Sequence, residues 1–423
     1  DPAGPETVDD VGRDELDTFD PSVFVDPFLV PAVFAQTASA DSLNAQAFDR
    51  YYVQNRRLRG LHSLFFVDEV ALVSVCEAVH RGWERVEPPT PEPPPVPSPE
   101  PPPDFSEFQC CYALRKSNGA DAPVPAEAEK ATEPLLPELQ PLADFTTDAL
   151  ISVQQALTNF CQARRDMVGI LTLPAHFEKR QCVEWQEEFR DRLGLPRRRS
   201  SFNDVRDIAD LSYVAVYHPW LLVADERATD RLRAVTIDGA VCGQIAARER
   251  ERQVWVAPAN MTLQGVLGLS PVINTSDWAD LFELQFNLAR PEPRDFRVMS
   301  AHTLADERIW LQVSVRRLMI LLRKVAVERG MDFVFEGNHE RFREGVRLTL
   351  NNILRFMFDR GAFAGRTPAE SYVVTTDESV NTPQSVDAGR FIAQIQVAPS
   401  QPLEFITVTL VRIGEDLLQA REA

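Results

Sequence analysis

Few side chains in this 423-residue chain stand where their types and spacing suggest chemistry. Glu336-Gly-Asn-His339-Glu340 puts two carboxylates and an imidazole on a short stretch ahead of a helical pattern, the ingredients of a general acid and base. The same residue types at a helix start also cap free N–H groups and complement the helix dipole, and this position favours that role. His218 ends the apolar run Tyr213-Val-Ala-Val-Tyr217, and ligands of α/β sheets bind at the carboxyl ends of strands. With no Ser, Cys or Asp motif to work with, a structural histidine is the simpler reading. Arg197-Arg-Arg199, followed by two serines, is a basic spot for which a solvated loop is the default. Arg316-Arg317 is more informative, because neighbours on a helix point to different faces. One guanidinium is expected to pair with a carboxylate inside the fold and the other to reach a neighbouring molecule.

No phosphate-cradling G-x-x-x-x-G-K is present, nor G-x-G-x-x-G, G-x-S-x-G or H-E-x-x-H. Cys76, Cys110, Cys111, Cys161, Cys182 and Cys242 form no C-x-x-C pair and no Cys/His cluster with zinc spacing, which suits free thiols in a reducing compartment. No catalytic residue, cofactor or metal is assigned, and a non-enzymatic role is expected.

The net charge of -19 is unevenly spread. Residues 1–26 hold nine acids and one base, and residues 84–150 hold thirteen acids and four bases, so the rest is nearly neutral. Nucleic acid asks for a basic face, so no such contact is expected. No apolar run approaches the length of a membrane span, so stable membrane insertion is not expected either. The apolar stretch Val23 to Ala35 contains Asp26, Pro27 and Pro31 and follows acidic residues, which is unlike a secretory signal.

The elements that must position these residues divide into parts. Residues 1–62 read as an irregular acidic entry and 63–85 as core strands built on Ser63-Leu-Phe-Phe-Val and Val70 to Val75. Eleven of the sixteen residues from Pro88 to Pro103 are proline, which predicts a stiff polyproline spacer and makes 86–145 a linker or surface excursion. A docking ligand for an aromatic groove is the other reading of that run. Between 146 and 300 helical and strand patterns alternate: a helix at 146–165, a strand at 168–174, a helix at 182–193 and a strand at 213–220. That order predicts an α/β core with a mostly parallel or mixed sheet and flanking helices.

From 301 to 423 the order changes to two helices and then a small sheet, an α+β unit. Leu318, Leu321, Leu322 and Val325 mark the first helix, stopped near Gly330. Phe342, Val346, Leu350, Ile353 and Met357 mark the second, with Asn338 as the expected cap and Gly361 as the stop. Strands are expected at 371–376, 390–397 and 404–413, the last alternating Ile406, Val408 and Leu410 with threonines.

Several passages, in order, resemble the contractile tail sheath family. They are Asp68-Glu-Val-Ala-Leu-Val with His80-Arg-Gly-Trp83; Arg164 to Pro174; Val216-Tyr-His-Pro-Trp220; and Asp238-Gly-Ala-Val-Cys-Gly243 to Asn260. Ala301-His-Thr-Leu304, Arg316-Arg-Leu318, Phe335-Glu-Gly-Asn338, Gly361-Ala-Phe-Ala-Gly365 and Ala398 to Ile406 complete the set. Together they run from about residue 64 to 413, omitting the proline-rich excursion. Thr172, Cys76-Glu77 and Gly337 depart from the family pattern, and its N-terminal strand is not visible in residues 1–20, so that arm is absent, divergent or not included.

The resemblance implies a structural subunit that polymerises as stacked hexameric rings around an inner tube and contracts to drive the tube through a target envelope. The extracellular contractile injection particle is the first reading. A phage tail sheath, a non-contractile sheath-like adaptor and an α/β enzyme with an appended interaction domain are the alternatives. Implied partners are other copies of the chain, the tube protein, and baseplate and terminator or cap proteins. Assembly would occur in the cytoplasm before release of the particle. The resemblance also implies strand addition between neighbours, for which the candidate interface residues are Glu404, Phe405, Ile406, Val408, Leu410 and Arg412, beside Arg316 and Arg317.

Overall fold

A computed structural model describes residues 21–29, 40–80, 83–86, 138–141, 147–195, 211–225, 228–333, 336–399, 406–413 and 417–422. The proline run, Arg197–Arg199, Glu404 and Phe405 lie outside the described residues. In chain order the first elements are α1 (Ala40–Phe48), β1 (Leu72–Ser74), β2 (Trp83–Val86), β3 (Glu138–Pro141), α2 (Thr147–Arg164), β4 (Val168–Thr172), α3 (Lys179–Arg192), β5 (Val214–His218), β6 (Trp220–Asp225), β7 (Ala228–Val235) and α4 (Asp238–Arg252). Then follow β8 (Met261–Thr262), β9 (Val266–Ser270), α5 (Thr275–Glu283), β10 (Asn287–Pro291), β11 (Phe296–Val298), α6 (Val313–Met331) and α7 (Glu340–Phe358). The last are α8 (Pro368–Ser371), β12 (Tyr372–Thr375), α9 (Pro383–Asp387), β13 (Arg390–Val397), β14 (Ile406–Ile413) and β15 (Leu417–Glu422).

β2 and β3 pair antiparallel, Trp83 opposite Pro141 and Val86 opposite Glu138, within a compact unit spanning 81–144. A second unit holds residues 20–80 and 145–423. Its central sheet runs β1-β4-β5-β10-β11-β8. The first four strands are parallel and the last two join antiparallel. The sheet is therefore mixed, as the alternating pattern led one to expect. β4 and β5 are buried along their whole length, which is why they read as continuous apolar runs. α2 lays Leu150, Val153, Leu157, Phe160 and Cys161 inward, one helical face.

Two expectations fail locally. Gly60–Phe66 forms a 3-10 turn and only Leu72–Ser74 becomes a strand. The helical turn lets Leu61 and Phe65 both point inward, with Phe65 edge-on to Phe160 at 5.2 Å. After His218 the chain does not continue as one strand: β6 leaves for a separate sheet of order β7-β6-β9.

Polar side chains fix this layer. Gln154 Nε2 donates to the Thr172 carbonyl (2.8 Å) while its Oε1 accepts from Trp185 Nε1 (2.8 Å). Ser74 Oγ lies 2.6 Å from Asp238 Oδ2, tying the first turn of α4 to the edge of the sheet, where the carboxylate also complements the helix dipole.

Candidate assembly surface

The residues from about 305 onward build a second hydrophobic cluster. α7 contributes Phe342, Val346, Leu350, Leu354 and Met357, and β13 contributes Phe391, Ala393, Ile395 and Val397 in strict alternation. Phe342 and Phe391 meet edge to face at 4.9 Å. α7 starts at His339, whose Nδ1 accepts from the Phe342 backbone N–H at 3.0 Å. The cap is therefore His339 and not Asn338, whose Nδ2 instead donates to the Arg390 carbonyl at 2.9 Å. That contact reaches the start of β13, which only the folded chain brings near. α7 ends as Gly361 takes φ +78 and the Ala362 N–H reaches back to the Met357 carbonyl at 3.1 Å. A side chain at Gly365 would strike the backbone of Glu370 and Ser371 within 2.9 Å, so the turn between α7 and β12 closes only with glycine there.

Asn381 has no counterpart among the sequence candidates. It is buried, its Nδ2 donates to the carbonyls of Thr376 (2.9 Å) and Ile392 (2.7 Å), and its Oδ1 accepts from the Ile392 N–H (2.8 Å). One amide thus closes the connection from β12 to β13. Asparagine near a helix start reads as turn chemistry, and nothing local in the sequence distinguishes it.

α6 joins this cluster to the central sheet. Arg316 is 0% exposed. Its guanidinium lies between the rings of Trp310 (3.8 Å) and Tyr213 (4.1 Å), Nη1 donates to the Tyr213 hydroxyl at 3.1 Å, and Nη2 meets Ser212 Oγ. Arg317 pairs with Glu249 on α4. Arg323 Nη1 donates to the carbonyls of Arg164 (3.1 Å) and Arg165 (3.0 Å), and Trp255 Nε1 to that of Arg360 at 3.3 Å. Arg317 is thus paired with a carboxylate inside the fold. Arg316 does not reach outward, because burial between two rings leaves it no surface for a neighbouring molecule.

The remaining interface candidates lie on one sheet of order β12-β13-β14-β15, antiparallel throughout. β14 is an interior strand, flanked by β13 and β15. Ile406, Val408, Leu410 and Arg412 stand at the register positions opposite Val397, Ile395, Ala393 and Phe391, the buried set of β13. β15 is an outer strand: Leu417 to Glu422 pair only with Ile413 to Val408, and the segment lies beside α6. Its other edge has no partner strand among the described residues.

His218 is fully buried at the end of β5, with Nε2 2.8 Å from the Phe177 carbonyl, and burial lowers its pKa to about 4. It stays neutral near pH 7 in a packed strand end. Among the described residues no group of His, Cys, Asp and Glu is arranged to hold a metal ion, and no helix is long and apolar enough to cross a membrane.

Residues 305–412, which hold α6, α7 and the strands β12, β13 and nearly all of β14, match the family described as the phage tail sheath C-terminal domain. The chain carries a tail sheath C-terminal domain. The tail sheath protein of Vibrio phage KVP40 is 24% identical over 196 residues, covering 45% of this chain and 28% of that protein. The chain therefore matches less than a third of that relative's length. Among solved structures, the contracted baseplate of the anti-feeding prophage contains a chain similar at TM-score 0.50 and 20% identity, covering 60% of this chain and 62% of its own. A chain in the contracted sheath complex of the PVC extracellular contractile injection system reaches TM-score 0.47 at 24% identity, covering 60% of this chain and 65% of its own. α6, α7, β12, β13 and nearly all of β14 fall within the matched residues, and β15 lies beyond them.

Proposed function

We propose that this chain is a structural subunit of a contractile sheath, polymerising as stacked rings of six around an inner tube. The observation that carries the proposal is the sheath domain itself: a small sheet ending in a short outer strand, mounted by α6 on a rigid α/β body. Main-chain pairing at a sheet edge can hold neighbours together while their bodies rotate, since it demands no particular side chains. β14 and β15 are the elements proposed to exchange between copies, β15 leaving its own sheet to add to that of a neighbour. Ile406, Val408, Leu410 and Arg412 then act through their backbone positions, and Glu404 and Phe405 are proposed to belong to the same interface.

Contraction is then a switch between two packings of nearly rigid subunits, started at the baseplate. A bias of about 1.4 kcal/mol per subunit is tenfold, and coupling over many subunits makes the change one-way without nucleotide. Proposed partners are the tube protein, baseplate proteins and a terminator or cap. Assembly is proposed to take place in the cytoplasm, followed by release as an injection particle; a phage tail is the other setting in which the same subunit would serve. Co-expression of the chain with a candidate tube protein tests the reading. Tube-dependent co-sedimentation of the two proteins is expected, and failure to interact with the tube protein of the same gene cluster would count against it.

A further inference from the structure

The end of α1 and the turn after it present an unusual surface. Phe48 is 55%, Tyr51 41%, Tyr52 57% and Val53 69% exposed. These are not scattered side chains: Tyr52 meets Phe48 at 4.9 Å and Phe66 at 5.0 Å, and Tyr51 meets Tyr52 and Phe66 at 4.9 Å each. The contiguous patch is anchored on the core through Phe66, whose neighbour Phe65 is buried against Phe160. Connected apolar surface open to water usually marks a place where something binds. The chain then runs through exposed Arg56, Arg57 and Arg59, and the Arg56 N–H is held on the Arg50 carbonyl at 3.0 Å, which keeps the first of these arginines beside the tyrosines. Arg50 stacks on the exposed ring of Phe28 at 4.1 Å and pairs with Asp26 at 3.4 Å.

Adjacent tyrosine and phenylalanine rings with cationic flanks match one kind of occupant well: an extended proline-rich segment bearing acids. Proline rings lie on aromatic faces, and a polyproline segment loses little entropy on binding. The chain supplies such a segment. Residues 88–103 contain eleven prolines with Glu92 and Glu100 and no basic residue, and they belong to the fifty-one residues between Val86 and Glu138, a pair that the β2–β3 register sets opposite each other. A stretch of that length is long enough to reach another molecule.

We propose that the surface formed by Phe48, Tyr51, Tyr52 and Phe66, with Arg56 and Arg57, docks the acidic proline-rich segment 88–103 of a neighbouring copy of this chain. That the segment comes from another copy rests on the sheath reading, in which copies lie side by side at high effective concentration. The recognition itself does not rest on it.

The test uses the full chain and a fluorescent synthetic peptide of residues 87–104, followed by anisotropy. Binding is expected, and is expected to tighten when the chain's own competing segment is weakened by Pro93→Ser, Pro94→Ser and Pro95→Ser. In that background, Phe48→Ser with Tyr52→Ser should lower affinity at least tenfold. Arg56→Glu with Arg57→Glu should lower it severalfold and remove its salt dependence. All substituted surface residues are exposed, and circular dichroism checks that the variants fold. A peptide that does not bind, or that binds equally to the Phe48→Ser/Tyr52→Ser variant, overturns the proposal. Self-association abolished by the aromatic changes but untouched by the proline changes would assign the surface to the folded body of a second copy and overturn it as well. The assay needs no polymer, so failure to form tubes would refute the sheath reading and leave this result standing.

Discussion

Substituting Arg316 by lysine keeps the charge and removes the planar guanidinium. Between Trp310 at 3.8 Å and Tyr213 at 4.1 Å, that plane makes two cation–π contacts out of water, each worth roughly 1–2 kcal/mol. Its two arms also reach the Tyr213 and Ser212 hydroxyls, and a lysine ammonium in the same space holds one of them at best. Losing one charged hydrogen bond costs about 1.5–3 kcal/mol. With part of the stacking, Arg316→Lys should destabilise the chain by about 2–4 kcal/mol, read as a lowered midpoint in urea unfolding followed by tryptophan fluorescence and far-ultraviolet circular dichroism. A double-mutant cycle with Trp310→Leu should give a coupling of about 1–2 kcal/mol, since the two side chains touch. Because Tyr213 and Ser212 precede β5 while Arg316 lies on α6, hydrogen exchange should also rise on both sides of that junction. A variant within about 0.5 kcal/mol of the parent, with no coupling to Trp310, would refute the view that this arginine joins the sheath domain to the central sheet.

Other outcomes follow from single side chains. Asn381→Ala removes three short contacts to buried backbone and leaves the Ile392 N–H unpaired, so a loss of about 2–4 kcal/mol is expected, with faster hydrogen exchange confined to β12 and β13. His339→Ala should cost about 1 kcal/mol through the lost cap and increase fraying of the first turn of α7, measured by amide exchange. Burial lowers the pKa of His218 to about 4, below its ordinary 6.5, so the unfolded chain takes up the proton first. Its contribution is complete above about pH 6.5 and is lost as pH falls toward 4, by about 3 kcal/mol in all. His62 shifts the same way for the same reason. Replacing His218 with glutamine should flatten the acid limb of the stability curve, and an unchanged limb would show that other groups set it.

The legible parts of the fold were those with strong periodicity. α7 could be read from Phe342, Val346, Leu350 and Met357 alone, because one face of an isolated pattern decides it. β4 and β5 were readable as apolar runs closed by proline. Residues 63–67 were not, since the four apolar residues Leu64 to Val67 serve a strand or a helical turn equally, and packing of Phe65 on Phe160 decided between them. The cap of α7 was placed one residue early: Asn is the commoner capping residue, but the Arg390 carbonyl took its amide. Of the interface candidates, Arg316 is the one whose burial was not legible, because nothing in the sequence reveals two rings converging on one guanidinium from 103 residues away and from the turn before its own helix. Glu404 and Phe405 lie outside the described residues. The neighbour of β14 on its second side, β15, was not foreseen as a strand of the same chain, because Leu417 to Glu422 alternate over only four residues, Leu418-Gln-Ala-Arg421, with no β-branched or aromatic side chain.

Copies are proposed to be held together by exchange of the last strand. Its most direct test is electron microscopy and sedimentation of the full chain beside a chain ending at Ile413. The full chain should form striated tubes or cogwheel rings, whereas the shortened chain should keep its circular dichroism and its unfolding free energy in urea titration to within about 2 kcal/mol yet stay unassembled, having no strand to give. Normal tubes from the shortened chain, or only soluble monomers from the full one, would contradict the claim.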